Sequence, residues 1–211
     1  MFEQLTHTPS GGKLKPLDPK SVLHNVVSYS DGSRIDLIPS QLELAYSLRN
    51  PGQKEGLLAK LISEIEKDYD LILLDCAPTE SVLTTAAYLA SDYLLVPVKP
   101  EYLSLIGLPL LVRSMDEFKS GPYSGHNLEL AGIVFNHTSG YVPEEIKSKN
   151  EVKDMAEKYG WYIFKAEVTY SRSYPKGARE GKPIFSTSYS RYTQADRFRA
   201  FAEEFAQRIA L

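Results

Sequence analysis

Apolar and polar positions alternate along this chain at two different periods. Ile35-Asp36-Leu37-Ile38 predicts a short strand closed by Pro39. Leu57, Leu58, Leu61, Ile62 and Ile65 follow helical spacing up to about Asp68, and Leu71 to Leu74 is a near-continuous aliphatic run, the pattern of a strand buried on both faces. The cycle then repeats with a helix over about Ser81 to Ala90 and a buried strand over Tyr93 to Val98. A helix over about Leu105 to Phe118 follows, in which Pro109 must sit in the first turn or kink the rod. After a Gly/Pro-rich loop (Ser120 to His126) come a strand from Leu130 to Phe135, a helix from about Pro143 to Tyr159 and a weaker strand near Trp161 to Lys165. A last helix runs from about Tyr192 to Ile209, with Phe198, Phe201, Ala202, Phe205 and Ile209 on one face.

Strand–helix alternation of this kind predicts an α/β fold, a mostly parallel, doubly wound sheet with helices on both faces. Ligands of such sheets gather at the carboxyl ends of the strands. No repeat, low-complexity tract or linker divides the chain, so residues 1–211 are expected to form one domain with 1–17 as a flexible amino-terminal segment. A hydrophobic content of 43% suffices for a core of ordinary size and argues against disorder. Cys76 is the only cysteine, which rules out an intrachain disulfide and suits a reducing cytoplasm. Met1 to Lys13 lacks the apolar core of a signal peptide, and the longest apolar run, Leu103 to Val112, is too short to span a bilayer. A cytoplasmic protein is the expectation. His7, His24, His126 and His137 show no metal-ligand spacing.

The segment richest in chemistry is Tyr69-Asp70-Leu71-Ile72-Leu73-Leu74-Asp75-Cys76-Ala77-Pro78-Thr79. Four aliphatics deliver Asp75 to the carboxyl end of a predicted central strand, where a carboxylate is costly to bury without a partner. Facing a polar cleft, it could orient a magnesium-bound water beside a nucleotide phosphate. The plainer alternative is an Asp that caps the helix starting near Ser81. Asn136 ends the strand Leu130 to Phe135; it is either a turn-former before Ser139-Gly140 or an amide able to donate to and accept from a ligand. From Lys165 to Arg199 the chain carries eight basic residues (Lys165, Arg172, Lys176, Arg179, Lys182, Arg191, Arg197, Arg199) against Glu167, Glu180 and Asp196. That is a net +5, leaving −8 for the remainder of a chain whose total is −3. With Tyr170, Tyr174, Tyr189 and Tyr192 interleaved, this stripe could neutralise DNA phosphates, or be an ordinary solvated surface of mixed charge.

Several of these segments, taken in order, resemble the ParA/Soj-type partition ATPases, a branch of the P-loop NTPases. The Asp75 segment is similar to their Walker B region, with Ala77 in place of the first proline of a pair. Asp36-Leu37-Ile38-Pro39-Ser40, Leu95-Val96-Pro97-Val98-Lys99-Pro100-Glu101-Tyr102 with Ile106-Gly107-Leu108, and Gly181-Lys182-Pro183-Ile184 match further family segments, so the resemblance covers roughly residues 18–208. It implies ATP and magnesium as cofactors, Asp75 as the catalytic and water-mediated metal residue, and Asn136, Pro78, Thr169 and Tyr170 on the nucleotide. Thr169-Tyr170 replaces the family's usual Pro-Arg. It also implies non-specific DNA binding by Arg172, Lys176, Arg179, Lys182, Arg191 and Arg197, a homodimer, a ParB-like stimulating partner and a nucleoid-associated cytoplasmic location.

One family element has no match. A P-loop needs a strand, a glycine-rich loop with Lys and Ser/Thr, and a helix. Ser10-Gly11-Gly12-Lys13 is preceded by no apolar strand, Leu14 stands where Ser or Thr should be, and Pro16 follows. The fold is therefore expected without its first strand–loop–helix unit, either because the chain is a truncated or mis-started ATPase, the preferred explanation, or because it is a natural relative that has given up hydrolysis and uses no cofactor. The alternatives in function are a non-catalytic DNA-binding or interaction protein of the same fold, and a MinD-like membrane-cycling ATPase. Glu203 and Glu204 beside the last helix's phenylalanines speak against membrane attachment and for core packing.

Overall fold

The computed structural model describes residues 18–40, 55–77, 79–187 and 192–211. Residues 1–17, expected to be flexible, lie outside that set, as do Pro78 and Arg191 of the expected site. The chain divides into two compact units, Met1–Ser91 and Asp92–Leu211.

In the first unit, β1 (His24–Ser28) and β2 (Arg34–Leu37) form an antiparallel hairpin. The turn between them is set by Asp31, whose side chain accepts from the Ser33 amide at 2.9 Å and its hydroxyl at 2.6 Å. Only β2 was anticipated by periodicity, because β1 lacks a regular alternation. Asp36 ties the hairpin together: it accepts from Asn25 at 2.9 Å, from Arg34 at 2.9 Å and from the Tyr69 hydroxyl at 2.6 Å. Helix α1 (Gly56–Ile65) buries Leu61, Ile62 and Ile65, and α2 (Val82–Leu89) buries Ala86, Ala87 and Tyr88; the two helices pack together.

Leu71 to Leu74 does not form the expected strand. The segment joins no ladder, and Leu71 and Leu73 are 40% and 74% exposed. An aliphatic run becomes a buried strand only if neighbouring strands take up its amides and carbonyls, and none does so among the described residues.

The second unit holds β3 (Tyr93–Val98), α3 (Tyr102–Ser120), β4 (Glu129–Thr138), α4 (Pro143–Tyr159), β5 (Val168–Thr169), α5 (Ser173–Glu180) and α6 (Tyr192–Arg208). The strands pair in parallel in the order β3-β4-β5, with β4 central. Successive side chains of β4 go to opposite faces, as strand geometry dictates. Ile133 and Phe135 pack with Val98, Leu105 and Leu108 of β3 and α3 and Val152 of α4. Val134 packs on the other side with Phe164, Val168, Tyr174 and the α6 residues Phe198, Phe201 and Phe205. Helices thus cover both faces of a parallel sheet, and the apolar side of α6 is spent on the core.

Pro109 lies well inside α3, which begins at Tyr102 rather than Leu105. It cannot donate to the Leu105 carbonyl, and burial of Leu105, Leu108, Met115 and Phe118 carries the helix across the lost bond. The strand expected over Trp161 to Lys165 shrinks to one bridge, Ile133 to Ile163. The cause is Glu204 of α6, which takes the amides of Lys165 and Ala166 at 2.9 and 3.0 Å and removes them from any ladder.

Gly132 makes this crossing possible. Its φ is +150°, and a Cβ there would lie 2.8 Å from the Tyr162 carbonyl oxygen and 2.9 Å from the Phe164 ring. Gly132→Ala should therefore cost about 3 kcal/mol in urea unfolding, from strain plus overpacking. Gly107→Ala in α3, where nothing stands within 4 Å, should instead stabilise by about 0.5–1 kcal/mol.

Candidate functional site

The carboxyl ends of β4 and β5 bring together three of the expected residues, Asn136, Thr169 and Tyr170. Asn136 and Thr138 stand in ladder register with Val168 and Thr169. Just beyond, the Tyr170 amide donates to the Thr138 carbonyl at 3.0 Å. Asn136 is half-buried; its Oδ1 accepts from the His137 amide at 2.8 Å, and its Nδ2 has no partner among the described residues. His137 has a φ of +57°, in the left-handed region. Its ring stands edge-on to that of Tyr170, 5.7 Å between centroids and 79° between planes. The loop after β5 is pinned from α6: Ser171 donates to Gln194 Oε1 at 2.5 Å.

The chain leaves the core here through polar contacts. The Glu145 carboxylate, near the start of α4, accepts from the Ser139 amide at 2.9 Å, its hydroxyl at 2.5 Å and the Gly140 amide at 3.2 Å. Lys149, one turn on, meets Glu145 at 2.9 Å and Glu167, just ahead of β5, at 2.7 Å. One ammonium thus fastens the loop leaving β4 to the segment entering β5. Burial opposes the charge on Glu145, but the bonds from Ser139, Lys149 and Gly140 outweigh it and hold its pKa at about 2. Sequence reasoning missed His137, Glu145 and Lys149. A signal existed for the last two, a Glu–Lys pair four apart just inside a proline-started helix.

Asp75 belongs to the first unit. It is exposed and makes no hydrogen bond or ion pair among the described residues. Ser81 holds the N-cap position of the helix after it without a side-chain cap bond, and the Thr84 hydroxyl turns back to the Thr79 carbonyl; Asp75 makes no capping bond there. A single free carboxylate suits magnesium, which keeps several waters and takes one or two carboxylates besides phosphate oxygens. The free Nδ2 of Asn136 likewise suits the ring nitrogen of a nucleotide base.

Of the expected DNA-binding residues, Arg172, Arg179, Lys182 and Arg197 are exposed and carry no ion pair among the described residues. Lys176 is partly buried and lies 3.9 Å from Glu180. Arg172, Lys176 and Arg179 cluster on and beside α5, which Gly181 ends in a left-handed turn (φ 62°) that carries Lys182.

The AAA domain family matches residues 14–130 of the chain. An uncharacterized protein of Mycobacterium tuberculosis is 26% identical over 198 residues, 92% of this chain and 60% of that protein. The chromosome-partitioning ATPase Soj of Treponema pallidum is 25% identical over 170 residues, 79% of this chain and 65% of that one. The chain therefore spans 60% and 65% of the length of these relatives. Among solved structures, apo McdA of Cyanothece superposes with a TM-score of 0.72 at 15% identity, over 92% of this chain and 80% of that one. An ATP complex of a variant of the same protein gives 0.70 at 16% identity, over 95% and 79%. At these identities the likeness to solved structures is one of fold.

Glu145 yields a pH prediction. Its pKa is depressed in the fold, so its stabilisation is present above about 4.5 and lost as pH falls through about 2. Glu145→Gln should lose about 2–3 kcal/mol at pH 7 in urea unfolding. The gap from the parent should close between those two pH values, and a gap unchanged at the acid end would contradict the assignment.

Proposed function

We propose, since the chain belongs to the ParA-type partition ATPase family, that it is part of an ATP-driven switch that positions a cargo by holding non-specific DNA. The observation that supports this most is the family match over residues 14–130, which takes in the Asp75 segment. ATP with magnesium supplies the phosphoryl group whose loss resets such a switch. Asp75 would hold the magnesium through a water, and Asn136, with Thr169 and Tyr170, would contact the base. Pro78 would belong to the turn after Asp75.

The DNA face would be the cationic end formed by Arg172, Lys176, Arg179, Lys182, Arg191 and Arg197. Point contacts to phosphates without base readout suit a protein that must hold any sequence. The partners on this reading are a second copy of the chain and a ParB-like stimulator. The packing of Phe198, Phe201 and Phe205 into the sheet leaves α6 no apolar face for a membrane. Among the described residues no helix is long and apolar enough to cross one.

Fluorescence anisotropy with a random-sequence duplex tests the proposal. Binding should appear with Mg-ATP and weaken steeply with salt. Arg172→Glu/Arg179→Glu/Lys182→Glu should flatten the slope of log K against log salt by about 2–3, near 0.9 per lost phosphate contact. Equal binding with and without ATP would point instead to a non-catalytic DNA-binding protein of this fold. An unchanged slope in the triple variant would move the DNA face elsewhere.

A further inference from the structure

The hairpin of the first unit carries an arginine held in one pose. Arg34 Nε donates to Asp36 Oδ2 at 2.9 Å, and its guanidinium lies 5.3 Å from the centre of the Tyr69 ring, whose hydroxyl donates to the same carboxylate at 2.6 Å. A guanidinium has five N–H donors; Asp36 takes one and the Tyr69 hydroxyl stands beside another, so the rest of the fork stays open to a carboxylate. Arg34 borders a cleft of about 360 Å³ between the helical turn Pro19–Val22, the hairpin and the turn Glu66–Asp68. Lys20 and Asp68 border it too. Among the described residues, the Lys20 ammonium and the Asp68 carboxylate make no ion pair or side-chain hydrogen bond, with each other or with any neighbour.

Opposite charges that share a small cleft without meeting leave room for a ligand that carries both signs. The charges bordering the cleft sum to zero, Lys20 and Arg34 against Asp36 and Asp68. A phosphate dianion would gain the two cations but face both carboxylates, whereas a zwitterion meets each free group with its complement. The cleft lies at the small end of ligand pockets, which suits a small metabolite, and Leu23 gives it an aliphatic wall. We propose that it binds a free α-amino acid with an apolar side chain. The ligand's carboxylate sits on Arg34 and Lys20, its ammonium on Asp68 and its side chain against Leu23. A ligand so held bridges the three segments, and its binding stabilises the fold by mass action. The site belongs to the first unit alone and does not depend on the nucleotide reading.

Amide ¹H–¹⁵N spectra of the 211-residue chain titrated with L-leucine test the site. The amides of Lys20, Arg34 and Tyr69 should shift saturably at millimolar concentration, and the melting temperature should rise. N-acetyl-leucine, which lacks the ammonium, and leucinamide, which lacks the carboxylate, should each bind about tenfold more weakly. Lys20→Ala and Asp68→Asn remove charges that the fold leaves unpaired, so both variants should melt like the parent. Asp68→Asn should weaken leucine about tenfold and leave N-acetyl-leucine unchanged, while Lys20→Ala should weaken leucine and leave leucinamide unchanged. Equal binding of leucine, N-acetyl-leucine and inorganic phosphate would reduce the cleft to a plain anion site and overturn the proposal. The absence of any saturable shift in the three amides would overturn it as well.

Discussion

Burial of β4 on both faces is the constraint on which the second unit depends. Residues Ala131 to Phe135 are buried without a break, so every amide and carbonyl in that stretch must be paired within the protein. β3 supplies the pairs along one side; on the other, Ile133 bonds Tyr162 and Phe164 and Arg208 donates to the Ala131 carbonyl, and β5 takes over only from Asn136 onward. Parallel neighbours in turn demand long crossovers. These are α3 and α4, whose apolar sides close one face, while α6 closes the other. Gly132 belongs to the same constraint, since only a residue without Cβ lets the Tyr162–Phe164 segment approach so closely.

A strand buried this fully must end somewhere, and its end is where polar chemistry collects. The amides of Ser139 and Gly140 are the first to leave the core, and Glu145 receives them. Lys149 then balances Glu145 and reaches Glu167. Two carboxylates around one ammonium would repel each other without it, and breaking such a partly buried set costs far more than breaking an exposed pair. The clamp fixes the spacing between Asn136 at the end of β4 and Thr169-Tyr170 at the end of β5. The edge at the ends of β4 and β5 is thereby an outgrowth of the packing problem, held by ions and turned at His137.

Periodicity made the larger elements legible. The helices over Gly56–Ile65, Val82–Leu89 and Pro143–Tyr159 and the strands β3 and β4 lie where alternation placed them, and the fold class followed. Shorter pieces were not legible. β5 has two residues, too few for a period to show, and α5 carries Pro175 and Gly177 in place of a regular apolar stripe. Leu71 to Leu74 reads as a strand because its aliphatics satisfy the pattern, but pairing is a property of neighbours and not of the segment. Of the expected site residues, Asn136, Thr169 and Tyr170 lie together at the ends of β4 and β5. The left-handed turn at His137 could not be anticipated, because a backbone angle leaves no mark in the residue pattern. The Glu145–Lys149–Glu167 clamp depends on a contact across 18 positions, which no local spacing encodes.

The central claim is that the joined ends of β4 and β5 form the base side of a nucleotide site. Its most direct test is the side-chain amide resonance of Asn136 in ¹⁵N-labelled protein titrated with Mg-ATP. The account predicts a saturable shift of that resonance together with the amides of His137 and Tyr170. Saturable shifts elsewhere in the chain, with these three unmoved, would contradict it.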